Sequence, residues 1–371
     1  MRPNALTARV MLWLCPVLPS ALAVLSTLLL FSLFLLLQGQ SALDAIALIF
    51  QGAFGSSFAW QSTLLRASPL MLTALCVALP AQVGLIVIGG EGALALGCMF
   101  AAIVPQMLSP GTPWLVATPL MALAGMLAGA IWIGAVGALR QWRGVNETIS
   151  SLLMSYIAIA LFNHLIEGPL RDPASLNKPS TLPVPDAMMI GSIPGLDMHW
   201  GLLWGVFACI AAWVFIKCSI KGFAMRVTGG SNRAARLVGL PVNSLTLVAC
   251  VLGGAAAGLA GMLEVAAVQG SANASLLVGY GYAGILVAFA ARQNPLAIIL
   301  CALIIGGIEA SSSLLQRRLD LPDATTLVLQ GLLFANLLAW EALRTHIAAW
   351  RAKLQAAMRT DLAVPLEQTH A

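Results

Sequence analysis

The sequence predicts an all-α polytopic membrane protein with about ten transmembrane helices and both termini in the cytoplasm. Hydrophobic residues make up 60% of the 371 positions, charged residues only 9%, and the mean hydropathy is +0.91. Because charged residues usually form about 25% of a soluble domain, this composition excludes an ordinary soluble protein. The apolar residues also fall in long runs, and a helix needs about 20 of them to cross a bilayer with its backbone hydrogen bonds satisfied.

Ten such runs define the predicted spans and, with them, one membrane domain over residues 1–371. The spans lie at residues 17–37, 67–88, 93–108, 114–139, 148–166, 200–216, 245–263, 276–291, 296–315 and 326–340. The apolar stretch at 43–60 is predicted to be an interfacial segment outside the membrane.

The distribution of cations supports this number of spans. If the amino terminus is in the cytoplasm, the ten predicted spans place 14 of the 19 Lys and Arg residues in the cytoplasm. The other 5, Arg66 among them, lie outside. That excess follows the positive-inside rule. Because the cations lie in loops beside apolar spans, membrane topology explains the net charge of +5, and we predict the lipid bilayer and no nucleic acid as a partner.

Three segments outside the spans are long enough to have a role of their own. They are a proline-rich external loop at 167–199, a basic cytoplasmic segment at 217–243 and a cytoplasmic tail at 344–371. Proline fixes φ and interrupts helices, so the external loop is predicted to be stiff and irregular.

One helix is predicted to be broken near residues 80–92, where Pro80 and several glycines interrupt an apolar region around Glu91. Broken helices in transporters expose helix ends to a polar cavity, which makes Glu91 a candidate for the translocation pathway. The alternative is a tight cytoplasmic turn, with Glu91 complementing the dipole of the next helix.

Five further polar residues are pathway candidates with structural alternatives. Asn146 and Glu147 begin the fifth span, where an N-cap and a first-turn carboxylate are also what a helix start prefers. Tyr156 and Asn163 are seven residues apart, so they share a helix face that could bind a polar solute. Glu309 lies inside the ninth span and should face protein or water, either in the pathway or in helix packing.

The basic segment at 217–243 contains a short helix with clear ends. Ser231 can cap it, and Gly239 with Pro241 can terminate it. The helix is predicted to expose Arg233 and Arg236 to solvent and to offer Ala234 and Ala235 as a flat contact. The alternative is an amphipathic connector that lies on anionic lipid.

Small residues spaced four apart predict close helix packing rather than a ligand site. They are Gly125, Gly129 and the glycine-alanine run at 253–261.

Several kinds of chemistry are excluded by missing patterns. No Lys lies in a Gly-x-x-x-x-Gly-Lys-Ser/Thr motif, the four His are scattered, and the seven Cys lie in or beside apolar runs without a Cys-x-x-Cys pair. The sequence therefore predicts no ATPase, no catalytic residues, no metal site and no bound cofactor on this chain.

Four stretches resemble the permease subunits of bacterial ABC importers of the branched-chain amino acid and simple-sugar class, in particular the nucleoside-uptake branch. They lie at residues 84–92, 146–158, 230–240 and 281–296. Val87, Ala93 and Ser155 depart from the family pattern, which usually has Asn, Gln and Asn at these places.

The resemblance implies an importer subunit in the bacterial cytoplasmic (inner) membrane, with no covalent chemistry of its own. A cytoplasmic ATP-binding subunit would use ATP and Mg and would seat a coupling helix. A second permease subunit, often different, and an external solute-binding protein docked on residues 167–199 would complete it. The coupling residues would be Ser231, Asn232, Arg233, Ala234, Ala235, Arg236 and Gly239, and the solute a nucleoside or simple sugar.

Two other hypotheses belong to different classes. An ion-coupled secondary transporter would use Glu91 and Glu309, but it should show a repeated pair of broken helices, which the sequence lacks. An intramembrane enzyme would need paired catalytic groups at one depth, and none stands out.

Overall fold

The computed structural model of the protein describes residues 5–362 apart from 110, 176–177 and 192–198, and describes side chains within residues 21–343. Thirteen α-helices occur in this part of the chain. The first seven are α1 (Ala5–Leu37), α2 (Ala42–Phe54), α3 (Ser57–Ala81), α4 (Gly90–Met107), α5 (Trp114–Arg143), α6 (Glu147–Glu167) and α7 (Gly201–Cys218). The rest are α8 (Ile220–Gly230), α9 (Asn232–Leu237), α10 (Val242–Leu263), α11 (Tyr280–Ala290), α12 (Pro295–Leu319) and α13 (Ala324–Leu362).

The helices confirm a polytopic all-α membrane protein. Among the described residues, eight helices are long and apolar enough to cross a bilayer, and α1 with α2 passes the same test together as a ninth. The cytoplasmic location of the termini remains a prediction, and the whole tail at 344–371 lies where side chains are not described.

The predicted eighth span is wrong as a full crossing. A short 3₁₀ turn (Ala274–Leu276) precedes α11, which has 11 residues. At about 1.5 Å per residue α11 is about 16 Å long, roughly half of the ~30 Å hydrocarbon layer. Gly270 and Gly279 adopt positive φ values of 69° and 95°, so the chain before α11 turns rather than continuing a helix.

The outer end of the second span also differs from prediction. Residues 43–60 form most of α2, a turn and the start of α3, and their interfacial position outside the membrane stays a prediction. Ser56 caps α3, its Oγ accepting a hydrogen bond from the Ala59 amide at 3.1 Å. Because α3 begins at Ser57, Arg66 lies inside a helix and not in an external loop.

The core of the larger unit is built from helices that approach through glycines, as predicted. A Cβ atom on Gly258 of α10 would overlap the Gly125 carbonyl oxygen of α5, and one on Gly129 would overlap that of Gly254. Gly97 of α4 meets the backbone of Gly258 in the same way. Three backbones therefore touch near one point, which only glycine permits.

The described chain divides into two compact units, residues 1–45 with 327–371 and residues 46–326. In the smaller unit Ser26 of α1 donates a hydrogen bond to Asn336 of α13 at 2.8 Å. Trp340 of α13 donates to the Ser26 hydroxyl at 3.2 Å. The larger unit contains α3 to α12, and the single domain over residues 1–371 stays a prediction.

The proline-rich segment at 167–199 is irregular where it is described and is fixed to the segment that leads to α11. The amides of Thr181 and Val184 donate to the carbonyls of Ala272 and Gly270, at 2.9 and 2.7 Å. Burial of His199 at the end of this segment lowers its pKa from 6.5 to about 4, so its imidazole is neutral at physiological pH.

Candidate functional site

Residues 82–89 form a non-helical segment between α3 and α4, at the predicted break. Val83, Leu85 and Val87 on this segment are buried, whereas Gly84 and Ile86 between them are exposed, so one side of the segment packs against protein. Non-helical backbone at membrane depth is tolerated only where protein or a cavity satisfies its polar groups.

Three hydroxyls on one face of α6 provide that satisfaction. Thr148 Oγ1 donates to the Ile86 carbonyl at 2.9 Å, Ser151 Oγ accepts from the Ile88 amide at 3.0 Å, and Ser155 Oγ accepts from the Gly92 amide at 3.3 Å. Their spacing of three and four residues places them on one helix face, parallel to the broken segment. We call these three residues the hydroxyl stripe.

Glu91 joins the starts of two helices. It lies in the first turn of α4 and is only 2% exposed. Its carboxylate oxygens accept the amides of Gly279, at 3.0 Å, and Gly281, at 2.5 Å, where α11 begins. Each helix start has a partial positive charge and unsatisfied N–H groups, so one carboxylate stabilises both ends.

Asn146 and Glu147 have partners that account for them without a solute. The Asn146 side chain accepts hydrogen bonds from the amides of Thr148 and Ile149, at 2.9 and 3.2 Å, as an N-cap does. Glu147 forms an ion pair with Arg140 at 3.2 Å. These contacts are those of the structural alternative, and a role of both residues in the pathway stays a prediction.

A charged cluster inside the larger unit was missed by the sequence analysis, apart from Glu309. Glu264 is 5% exposed, attracted by Arg66 of α3 and repelled by Glu309 of α12. Tyr280 interacts with the same three charges. Glu264 begins a turn of π-helix (Glu264–Gln269) that extends α10, a distortion common at functional sites.

The only signal for this cluster was a carboxylate just beyond the glycine-rich run of α10. Arg66 was assigned to the external side because the second span was predicted to start after it. Arg66 is half-buried, and opposite charges nearby lower the cost of removing its cation from water, which is why the helix can include it.

Tyr156 and Asn163 share a face of α6 as predicted from their spacing, but their environments differ. Tyr156 is 58% exposed, whereas Asn163 is half-buried. The hydroxyl of Tyr282 on α11, which the sequence analysis did not single out, interacts with both Tyr156 and Glu91.

The basic segment at 217–243 contains two helices, α8 and α9. The Ser231 hydroxyl accepts a hydrogen bond from the Ala234 amide at 3.2 Å and caps α9. Gly239 follows α9, and its φ of +80° ends the helical turn. The sequence therefore predicted a short helix with these ends correctly.

The expected contact surface of α9 needs a correction. Ala234 is exposed, but Ala235 is fully buried against the protein's own helices. The exposed apolar side chains are instead Leu237 and Val238, at 82% and 71%. Asn232, Arg233 and Arg236 are also exposed.

The end of α8 contacts the broken segment directly. A Cβ atom on Gly229 would overlap the carbonyl oxygen of Gln82, the first residue after α3. The Gln82 side chain donates a hydrogen bond to the Gln293 carbonyl at 3.3 Å, just beyond α11. The end of α8 thus lies against the first residue of the segment that leads to α4, and Gln82 connects this contact to the turn after α11.

Comparison with known proteins identifies the family to which this arrangement belongs. The model of the branched-chain amino acid transport system permease component matches residues 59–338. The chain belongs to this permease family. It is the transmembrane permease subunit of an ATP-binding cassette importer, a non-catalytic, multi-pass protein of the bacterial inner membrane.

Three similar proteins match most of the permease. The glucose ABC transporter permease protein of Haloferax volcanii is 32% identical over 88% of both chains. The guanosine ABC transporter permease protein of Bacillus subtilis is 28% identical over 75% of this permease and 80% of its own length. The nucleoside ABC transporter permease protein of Lactococcus lactis is 24% identical over 80% and 84%. These relatives do not favour an ion-coupled secondary transporter.

Proposed function

We propose that this permease imports a nucleoside or a simple sugar, driven by a cytoplasmic ATP-binding subunit that docks on α9. The observation that supports docking at this place is the exposed pair Leu237 and Val238, on a short capped helix with Arg233 and Arg236 beside it. Isolated apolar side chains flanked by cations suit a groove with an apolar floor and an acidic rim. The ATPase uses ATP and Mg, and the permease itself binds no cofactor.

Membership of an importer family also leads us to propose two further partners. An external solute-binding protein delivers the solute at the segment 167–199, whose hydrogen bonds to residues 270–273 connect it to the start of α11. A second, different permease subunit completes the transmembrane unit. Movement at α9 then alternates access from outside to inside.

The solute class is supported by the names of the relatives and by the chemistry around Glu91. Because the Glu91 carboxylate already accepts amides of α11, it does not need a cationic solute as a partner. Hydroxyl-rich neutral molecules such as guanosine and glucose match both relatives and this neutral arrangement.

Docking on α9 is tested by copurification of the ATPase with a tagged permease. We expect Leu237→Asp to reduce the recovered ATPase at least about tenfold, since a charge replaces an interface anchor. Leu237→Met, which keeps the apolar volume, should recover it normally. Equal recovery with Leu237→Asp and the wild type would contradict docking at α9.

The solute is tested by uptake of radiolabelled guanosine and glucose in cells that contain the complete assembly. Accumulation of either compound that stops when ATP is depleted supports the proposal. Accumulation that survives ATP depletion and stops when the ion gradient is collapsed would contradict it.

A further inference from the structure

The three tyrosines of the chain are gathered around the Glu91 junction. Tyr280 and Tyr282 lie in the first turn of α11, and both interact electrostatically with Glu91. Tyr156 follows Ser155, whose hydroxyl bonds the amide of Gly92, and it interacts with Tyr282. Hydrogen bonds between residues far apart in sequence thus bring all three tyrosines beside the Glu91 junction.

The side chains of two of these tyrosines are exposed, and the third is buried. Tyr280 is 7% exposed, Tyr282 39% and Tyr156 58%. Tyr280 is enclosed where Thr73 of α3 donates a hydrogen bond to its carbonyl at 2.9 Å. Tyr156 and Tyr282 therefore form an accessible aromatic surface beside the junction.

The depth of Tyr156 is unusual for an exposed tyrosine. It is nine residues beyond the start of α6, or about 14 Å along the helix, near the middle of the bilayer. Exposed tyrosines usually lie at the membrane interface, where the hydroxyl meets water. A phenol that faced lipid at mid-depth would lose its hydrogen bonds, so the Tyr156 hydroxyl is better suited to a polar surrounding than to lipid.

We infer that Tyr156 and Tyr282 form a stacking surface for the flat ring of the transported solute, a nucleobase or a pyranose, at the Glu91 junction. This inference rests on the proposed function and names the residues that hold its solute. The aromatic faces bind the ring, while the phenol hydroxyls exchange hydrogen bonds with its edge or its hydroxyls. Glu91 is a positioning residue, because its oxygens accept the amides that orient α11 and with it Tyr282.

The experiment uses the complete assembly in proteoliposomes at saturating binding protein, with guanosine and glucose as probes. We expect Tyr156→Leu and Tyr282→Leu each to reduce the rate of uptake about tenfold, the loss of one good stacking contact. Tyr156→Phe and Tyr282→Phe keep the ring and should lose less than about threefold. Leu161→Ala, on an exposed residue that faces away from Tyr156 around α6, should have no effect.

Two further measurements separate a solute contact from a structural role. ATP hydrolysis and the melting temperature of the purified assembly should stay unchanged in the leucine variants, because the solute and not the fold has lost a partner. If a leucine variant does not assemble, Tyr156→Trp and Tyr282→Trp provide the same test, since a larger aromatic face should preserve uptake.

Several results would overturn the inference. Wild-type uptake in the leucine variants would do so. Equal losses in the phenylalanine and leucine variants would also do so, as would a loss in Leu161→Ala as large as in Tyr156→Leu. A wild-type assembly that transports neither probe would instead contradict the proposed function, and the inference would fall with it.

Discussion

At the scale of single residues, the hydroxyl stripe explains how a non-helical segment is stable inside the membrane unit. Thr148, Ser151 and Ser155 together satisfy a carbonyl and two amides between Ile86 and Gly92. The Gly92 amide is one of the first N–H groups of α4, which have no acceptor within their own helix. Ser155 on α6 therefore accepts a hydrogen bond from an amide at the start of α4. An N-cap residue of the same helix usually has this role.

Replacement of Ser155 tests this role. We expect Ser155→Ala to lower the free energy of unfolding by about 1–3 kcal/mol, because the buried Gly92 amide loses its acceptor. The melting temperature of the detergent-solubilised permease measures the change. The matched control is Ser150→Ala, since the Ser150 hydroxyl bonds only a carbonyl of its own helix, that of Glu147. Equal melting temperatures for both variants would show that Ser155 has no such role.

Residue patterns predicted local features well and contacts between distant residues poorly. The Asn146 cap, the α9 cap at Ser231 and the break before Glu91 all follow from short-range chemistry, which is present in the local sequence. Two hydrogen bonds from amides at the start of α11 to the Glu91 carboxylate join positions about 190 residues apart. No pattern in either stretch of sequence predicts these two bonds.

At the scale of helices, the predictions failed where the length of a helix or its tertiary neighbours determine the structure. Hydropathy treats residues 276–291 as apolar enough to cross, but it does not register that Gly270 and Gly279 turn the chain before α11. It also cannot show which side of α9 meets the protein, so Ala235 was taken as exposed. The tertiary neighbours that settle both points are remote in sequence.

Close crossing of α5 and α10 is the helix-scale feature most sensitive to substitution. We expect Gly258→Ala to reduce the amount of folded permease several-fold, because its methyl group would overlap the Gly125 carbonyl and neither backbone can move alone. Fluorescence-detected size-exclusion chromatography measures the folded fraction. Gly331→Ala is the control, since a Cβ at this exposed helical glycine meets nothing within 4 Å. A normal profile for Gly258→Ala would contradict a tight crossing.

At the scale of the whole molecule, the larger unit contains a continuous connection from α9 to Glu91. The end of α8 touches Gln82, and Gln82 is bonded to the turn after α11. In that turn Arg292 and Gln293 adopt φ values of 50° and 59°, a conformation costly for residues other than glycine. Movement at α9 would therefore reach both helices whose starts meet at Glu91.

Gly229 is the point at which this connection can be tested. We expect Gly229→Ala to reduce the number of solute molecules moved per ATP hydrolysed about fivefold or more, because the added methyl group displaces α8 from Gln82. Uptake and ATP hydrolysis measured on the same proteoliposomes give the ratio. Gly230→Ala, where a Cβ meets nothing within 4 Å, should keep it normal. An unchanged ratio in Gly229→Ala would show that coupling takes another route.

The pairing of one carboxylate with two helix starts also bears on how the cell keeps its gradients. Each helix start is equivalent to about half a positive charge, so together they offset about one negative charge. Na⁺ or H⁺ therefore gains little at this depth, while an uncharged solute meets almost no field. We expect the solute to pass the junction without a leak of ions that would dissipate the membrane potential.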